Sequence, residues 1–381
     1  MLFVVFFSLI ISNEAQEEKR CTRIVCGIDN LDVPKNFITK EFPKDYCTHA
    51  IYYAAGIVGN NLTNMFSNEL SKDRVRGLYA KTADLKKRNK DLKILLSVPV
   101  PWSAPKPFAA IVAREDSRNE FISNAITYLR KHKFDGLHID WWYPNKDGVT
   151  EEKNHLTAFL KEASEAFQNN SIETGRSRLL LSVIGDPFQV GYYEVSKIAR
   201  YVDMMNIVGF RFFGSWNSHI SHHSPLYGDG SSVASSLQLW KKNGMPAEKL
   251  NLGIAFYGVY VHVENKTHYS DRMKIVHVGK PLYTSQSEGL ISFGQICKLI
   301  FDQNKVHRDE KRHVPSYFKD GLWLGYDDQL SVAEKATYAM ENGHGVWVEN
   351  VQNDDHNDSA CDMGKYPLLR SVFSGCSMQS S

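Results

Sequence analysis

The sequence predicts a (β/α)8 TIM barrel with a small α+β insertion between strands 7 and 8, and three observations lead there. Eight short, near-continuous apolar runs recur along the chain, stretches with apolar residues at helical spacing separate them, and one interval is too long for a single helix. Near-continuous apolar strands alternating with helices mark a parallel sheet covered on both faces. Eight of them in 381 residues fit one closed barrel, with function expected at the C-terminal ends of its strands.

The runs are Ile24 to Ile28, Ala50 to Ile57, Ile94 to Val100, Gly136 to Tyr143, Leu179 to Ile184, Met204 to Phe210, Leu250 to Tyr257 and Val346 to Glu349. Helical spacing is clearest in Glu69 to Lys87, Ser117 to Lys131, Glu151 to Phe167 and Ala234 to Lys242. The long interval opens after Gly258, and residues 259–320 are expected to form the insertion, leading into Leu322 to Asp328.

Composition narrows the function. The chain is 43% hydrophobic and 23% charged, an ordinary globular balance. Its 45 basic and 43 acidic side chains leave a formal charge of +2, too little for general steering onto nucleic acid or an anionic membrane. The runs Lys86-Lys87-Arg88 and Arg130-Lys131-His132-Lys133 read as solvated helix ends. Residues 1–16 hold a short apolar stretch, Leu2 to Ile11, followed by polar residues; they read as a signal peptide without a basic n-region, leaving 17–381 as the barrel. No later segment is apolar and long enough to cross a bilayer. A secreted, extracellular, monomeric protein is expected, in which six cysteines could all pair. Asn-x-Ser/Thr sequons at Asn61, Asn169, Asn265 and Asn357 fit N-glycosylation of such a protein.

The segment Phe134-Asp135-Gly136-Leu137-His138-Ile139-Asp140-Trp141-Trp142-Tyr143-Pro144 carries the most information. Strand periodicity of two puts His138, Asp140 and Trp142 on one face, which should line a pocket. The segment resembles the Asp-x-x-Asp-x-Asp-x-Glu signature of family 18 glycoside hydrolases, the chitinases. Asp135, Gly136, Asp140, Trp141, Tyr143 and Pro144 match, whereas His138 replaces the second Asp and Trp142 the proton-donating Glu. Further resemblances run through Cys47 to Tyr52, His222 to Tyr227, Asn251 to Gly258 and Gly364 to Leu369.

In this family the substrate's N-acetyl oxygen attacks the anomeric carbon while the Glu protonates the glycosidic oxygen. An indole N–H has no acid form that titrates near neutral pH, so Trp142 cannot serve; loss of a general acid alone removes about 10²–10⁴ in rate. The resemblance therefore implies a chitinase-like pseudo-enzyme with no catalytic residues, its motif degenerate at Asp135, His138, Asp140 and Trp142. His138 could form a charge-assisted pair with Asp140; these two alone are a weak metal signal, and neither metal nor cofactor is expected. At the sixth strand, Phe210 and Arg211 replace the family's Tyr and Asp, Val259 replaces an Arg, and Leu31 a Trp platform.

What remains suits binding. The resemblance implies that Trp347 floors a central sugar subsite. Trp347, Trp102, Trp142, Asp140, Tyr143, Arg211 and Tyr257 are the candidates for binding chitin or another N-acetylglucosamine glycan, with Trp216 a further aromatic. Asp354-Asp355 look like acids bordering the groove. A plugged cleft on a barrel serving a protein partner is the alternative, and residual hydrolysis a weaker one. The resemblance also implies disulfides Cys26–Cys47 and Cys297–Cys361, which leaves Cys21 and Cys376 to clip the termini or remain free thiols.

Overall fold

A computed structural model describes residues 20–30, 36–72, 76–100, 106–144, 151–228, 230–280, 288–300 and 302–377. The segment 1–16, Leu31 and Trp102 lie outside them. Eight parallel strands close into a barrel: β1 (Ile24–Asp29), β2 (His49–Tyr53), β3 (Lys93–Val100), β4 (Gly136–Trp141), β5 (Leu180–Gly185), β6 (Met204–Ile207), β7 (Leu250–Ile254) and β8 (Gly345–Val348). Each pairs with the next in sequence, and β8 returns to β1.

The alternation in β4 divides its residues between two environments. Leu137, Ile139 and Trp141 point out to the helices, where Phe108 meets Trp141, Phe121 and Phe159 with ring centroids 5.4–6.0 Å apart. Helix Glu115–His132 buries Phe121, Ile122, Ala125 and Leu129 at helical spacing, opens on Glu115 and Asp116, and closes on Arg130, Lys131 and His132, complementing its dipole at both ends. His138 points into the lumen between Ser97 and Ser182, its register neighbours on β3 and β5. Asp135, just before β4, accepts from the Lys86 ammonium and the Ile94 amide at 2.9 Å. It thus closes the bottom of the barrel, roughly 16 Å along the strand from Asp140 at a rise of about 3.3 Å per residue.

Several apolar runs end earlier than their composition suggests, because their tails enter other structures. The run after Ala50 leaves the barrel at Ala54 for a hairpin, Ala55–Val58 with Asn61–Asn64. Among the described residues of the stretch from Glu69, α-helix covers Leu78–Ala83 and Leu85–Arg88. Glu69 is instead buried, its carboxylate accepting from the backbone amides of Met65 and Phe66 and from Asn30. Burial raises its pKa.

Between β7 and β8, residues from Tyr257 to Gly325 build a six-stranded sheet that includes Tyr257–Val263, Val314–Lys319 and Leu322–Gly325, with helix Phe293–Leu299 alongside. Its buried face gathers Val259, Val261, Phe318 and Trp323 into a core of its own. A buried pair, Lys335 with Asp327, joins its exit to helix Gln329–Glu341; Asp327 also accepts from the Ser224 hydroxyl at 2.7 Å. Cys26–Cys47, Cys297–Cys361 and Cys21–Cys376 are disulfides, the last joining positions 355 residues apart.

Candidate functional site

The C-terminal ends of the barrel strands surround a cleft of about 320 Å³. Tyr53 and Ala54 reach it from the end of β2, Asp140 and Trp142 from β4, Ile184 from β5, and Trp347, Glu349 and Asn350 from β8. Asp29 ends β1 at its rim, Pro99 of β3 lines it, and Met65 and Phe66 descend from the hairpin, held there by Glu69. Gly27 makes the close approach of β1 possible, since a Cβ there would lie 1.6 Å from the Glu349 carbonyl oxygen.

Trp142 lies across the mouth of the barrel with its indole Nε1 donating to Asp140 Oδ1 at 2.8 Å. Its carbonyl accepts from the Tyr193 hydroxyl at 3.2 Å, fixing the backbone that aims the ring. Trp347 is 1% exposed, packed 5.6 Å from Phe210, and its indole nitrogen faces the Tyr53 hydroxyl. Phe210 in turn sits 5.9 Å from Tyr257. Burial, reinforced by Glu349, pushes the Asp140 carboxyl up to about 7, and burial pushes Glu349 up to about 7 as well, with Arg211 and the Tyr257 hydroxyl pulling the other way. Both acids thus lie well above the ordinary carboxylate range.

The expected His138–Asp140 pair does not form. Residues two apart on a strand are separated by about 6.6 Å, Ser182 stands directly beside His138, and the Trp142 indole folds back onto Asp140. His138 Nδ1 contacts the Ser182 hydroxyl at 3.0 Å, its Nε2 is unpartnered, and burial lowers its pKa to about 3, so it stays neutral. Asp354 and Asp355 do not border the groove either. Both are 3% exposed: Asp354 accepts from the amides of Leu368 and Leu369 at the start of helix Pro367–Gly375, and Asp355 from those of Ser359, Ala360 and Cys361.

Of the expected sugar-binding residues, Trp347, Trp142 and Asp140 meet in the cleft wall. Tyr143 packs against the Trp142 ring at 6.3 Å, while Arg211 and Tyr257 flank Glu349 outside the wall. Trp216 is 61% exposed on a loop away from it. The reading from sequence missed Glu349, Tyr53, Asp29 and Phe66. Glu349 stands two residues after Trp347, on the same face, and Asp29 and Tyr53 end their strands, so the C-terminal-end rule could have found all three. Phe66 arrives from a loop and left no such signal. Among the described residues no three His, Cys, Asp or Glu side chains are grouped to hold a metal.

Comparison with known proteins now bears on this geometry. The model of glycosyl hydrolases family 18 matches residues 23–354. This chain belongs to that family. Mouse chitotriosidase-1 is 31% identical over 370 residues, covering 92% of this chain and 77% of the relative. Human chitinase-3-like protein 2 is 31% identical over 369 residues, covering 92% and 91%. Among solved structures, human YKL-39, described as a pseudo-chitinase with retained chitooligosaccharide binding, superposes with a TM-score of 0.83 at 29% identity over 93% of this chain and 99% of that one. The relatives of this chain thus include both a chitotriosidase and chitinase-like proteins.

Proposed function

We propose that this chain is a secreted, glycosylated, chitinase-like lectin that binds chitin or related N-acetylglucosamine oligosaccharides in the barrel cleft without cleaving them. One observation carries the reading: Trp142 stands at the position of the family's acid and spends its only polar hydrogen on Asp140, beside an open cleft floored by Trp347. Asp140 retains the family's middle carboxylate, but with no proton donor opposite it and Phe210 in place of a hydroxyl it has no reaction to assist. Stacking of a sugar face on the half-exposed Trp142 ring remains, with the buried Trp347 supporting the cleft behind it. The retained chitooligosaccharide binding described for YKL-39 supports the same reading.

Secretion rests on the apolar segment 1–16 and on three disulfides, which need an oxidising compartment. Among the described residues no helix is long and apolar enough to cross a membrane. Asn61, Asn169, Asn265 and Asn357 are all exposed, as glycan attachment requires.

The test is calorimetric titration of chitotetraose into the wild type and Trp347→Ala. Removing a buried Trp is expected to lower stability by about 3–5 kcal/mol, so circular dichroism must first show the variant folded. Trp347→Phe, which keeps a ring, provides a second variant. We expect saturable binding by the wild type, at least about tenfold weaker in Trp347→Ala and intermediate in Trp347→Phe. Unchanged affinity in both variants places the sugar elsewhere.

A further inference from the structure

We propose that the cleft prefers a protonated amino sugar over its N-acetylated counterpart, and that its ligand is a partly N-deacetylated chitooligosaccharide. The inference rests on the glycan-binding reading above and names the ligand class.

Three carboxylates line the cleft from three separate strands: Asp29 at the end of β1, Asp140 on β4 and Glu349 after β8. Among the described lining residues there is no Lys, Arg or His, and the remaining wall is largely aromatic, with Tyr53, Phe66, Trp142 and Trp347. Carboxylates set among ring faces are the surroundings that bind an ammonium group, through charge and through the negative faces of the rings. A neutral acetamide gains little from them.

The cleft is also unfinished in its hydrogen bonding. The Trp347 indole nitrogen, in a residue 1% exposed, and the Tyr53 hydroxyl are buried facing each other, with no further partner for either. Each can engage a sugar hydroxyl while the amine meets the acids. Asp140 has one bond, from Trp142, and keeps acceptor capacity toward the cleft. Arg211 flanks Glu349 from outside the wall and offsets part of its charge, while the described wall itself presents carboxylates and no cation. The upward displacement of Asp140 and Glu349 agrees with two desolvated acids, Asp140 raised further by Glu349 and Glu349 only partly offset by Arg211. The protein as a whole carries +2, so any preference for a cation belongs to this site and not to the molecule's field.

The experiment is a calorimetric comparison, at pH 7, of chitotetraose with its fully N-deacetylated tetramer, using the wild type and Glu349→Gln at 0.05 and 0.5 M salt. We expect the deacetylated tetramer to bind on the order of tenfold tighter. The ratio should shrink in Glu349→Gln, and in the wild type at high salt. The salt series needs no variant and so stands even if Glu349→Gln fails to fold. Equal or tighter binding of the acetylated tetramer overturns this inference and leaves glycan binding intact. Absence of binding by both tetramers overturns the glycan reading, and this inference with it.

Discussion

Trp142 and Glu349 set the behaviour of the cleft, and each makes a prediction at the scale of one side chain. Restoring the family residues with His138→Asp and Trp142→Glu together returns an acid and its relay, but Phe210 still replaces the Tyr hydroxyl and Arg211 the Asp that grip the reacting sugar. The double variant is expected to release little or no product from chitohexaose in a mass-spectrometric assay; robust hydrolysis would show that the sixth strand matters less than its sequence suggests. Glu349 makes the second prediction. Its folded-state pKa is raised to about 7, so its contribution to stability is fully present below about 4.5, the ordinary glutamate value, and is lost as pH rises through 7. Glu349→Gln removes the titration. The variant should therefore melt above the wild type at pH 8 and show no such advantage at pH 4.5. His138, lowered to about 3, and His223, lowered to about 4, act in the opposite sense: their contribution is present above 6.5 and lost as pH falls. For this reason the difference between variant and wild type, and not the wild-type profile, reports on Glu349, together with Asp140, whose carboxyl its charge raises. A variant less stable than the wild type at pH 8 would contradict the assignment.

At the scale of elements, pairs of neighbouring residues decided what could be read in advance. The eight strands were legible because strands buried on both faces must be apolar throughout, and the alternation in β4 correctly divided Trp141 from Asp140. Strand ends were less legible. Composition continues smoothly from Ile254 to Tyr257 and from Tyr53 to Ala55, yet the hydrogen bonds pass at those points to an antiparallel sheet and to a hairpin. Asp354 and Asp355 show the complementary failure: two acids after a strand look solvated in sequence, but their acceptors are taken by helix and loop amides far along the chain. Asp354 binds the first-turn amides of helix Pro367–Gly375, so Asp354→Ala should lower stability by about 1–2 kcal/mol through loss of the cap. Thermal unfolding measures it, and an unchanged midpoint would mean that another group takes over those amides.

Across the whole molecule, the closed barrel and its insertion frame the cleft. The disulfide between Cys21 and Cys376 closes the chain near its two ends, and the core runs continuously from Ile24 to Val372. At the opposite end of the barrel from the cleft, Asp135 holds Lys86 and β3. The sequence placed Asp140 and Trp142 at the end of β4. It could not show that Glu349 and Phe66 had joined the cleft, because their meeting depends on closure of the barrel and on a hairpin outside it. The central claim is that the cleft holds sugar and does not cut it. The most direct measurement is a tryptophan-fluorescence titration with chitooligosaccharides of increasing length, with product analysis of each sample. Saturable binding that tightens with length and yields no shorter sugars is the predicted result. Cleavage products, or no binding at millimolar sugar, would contradict it.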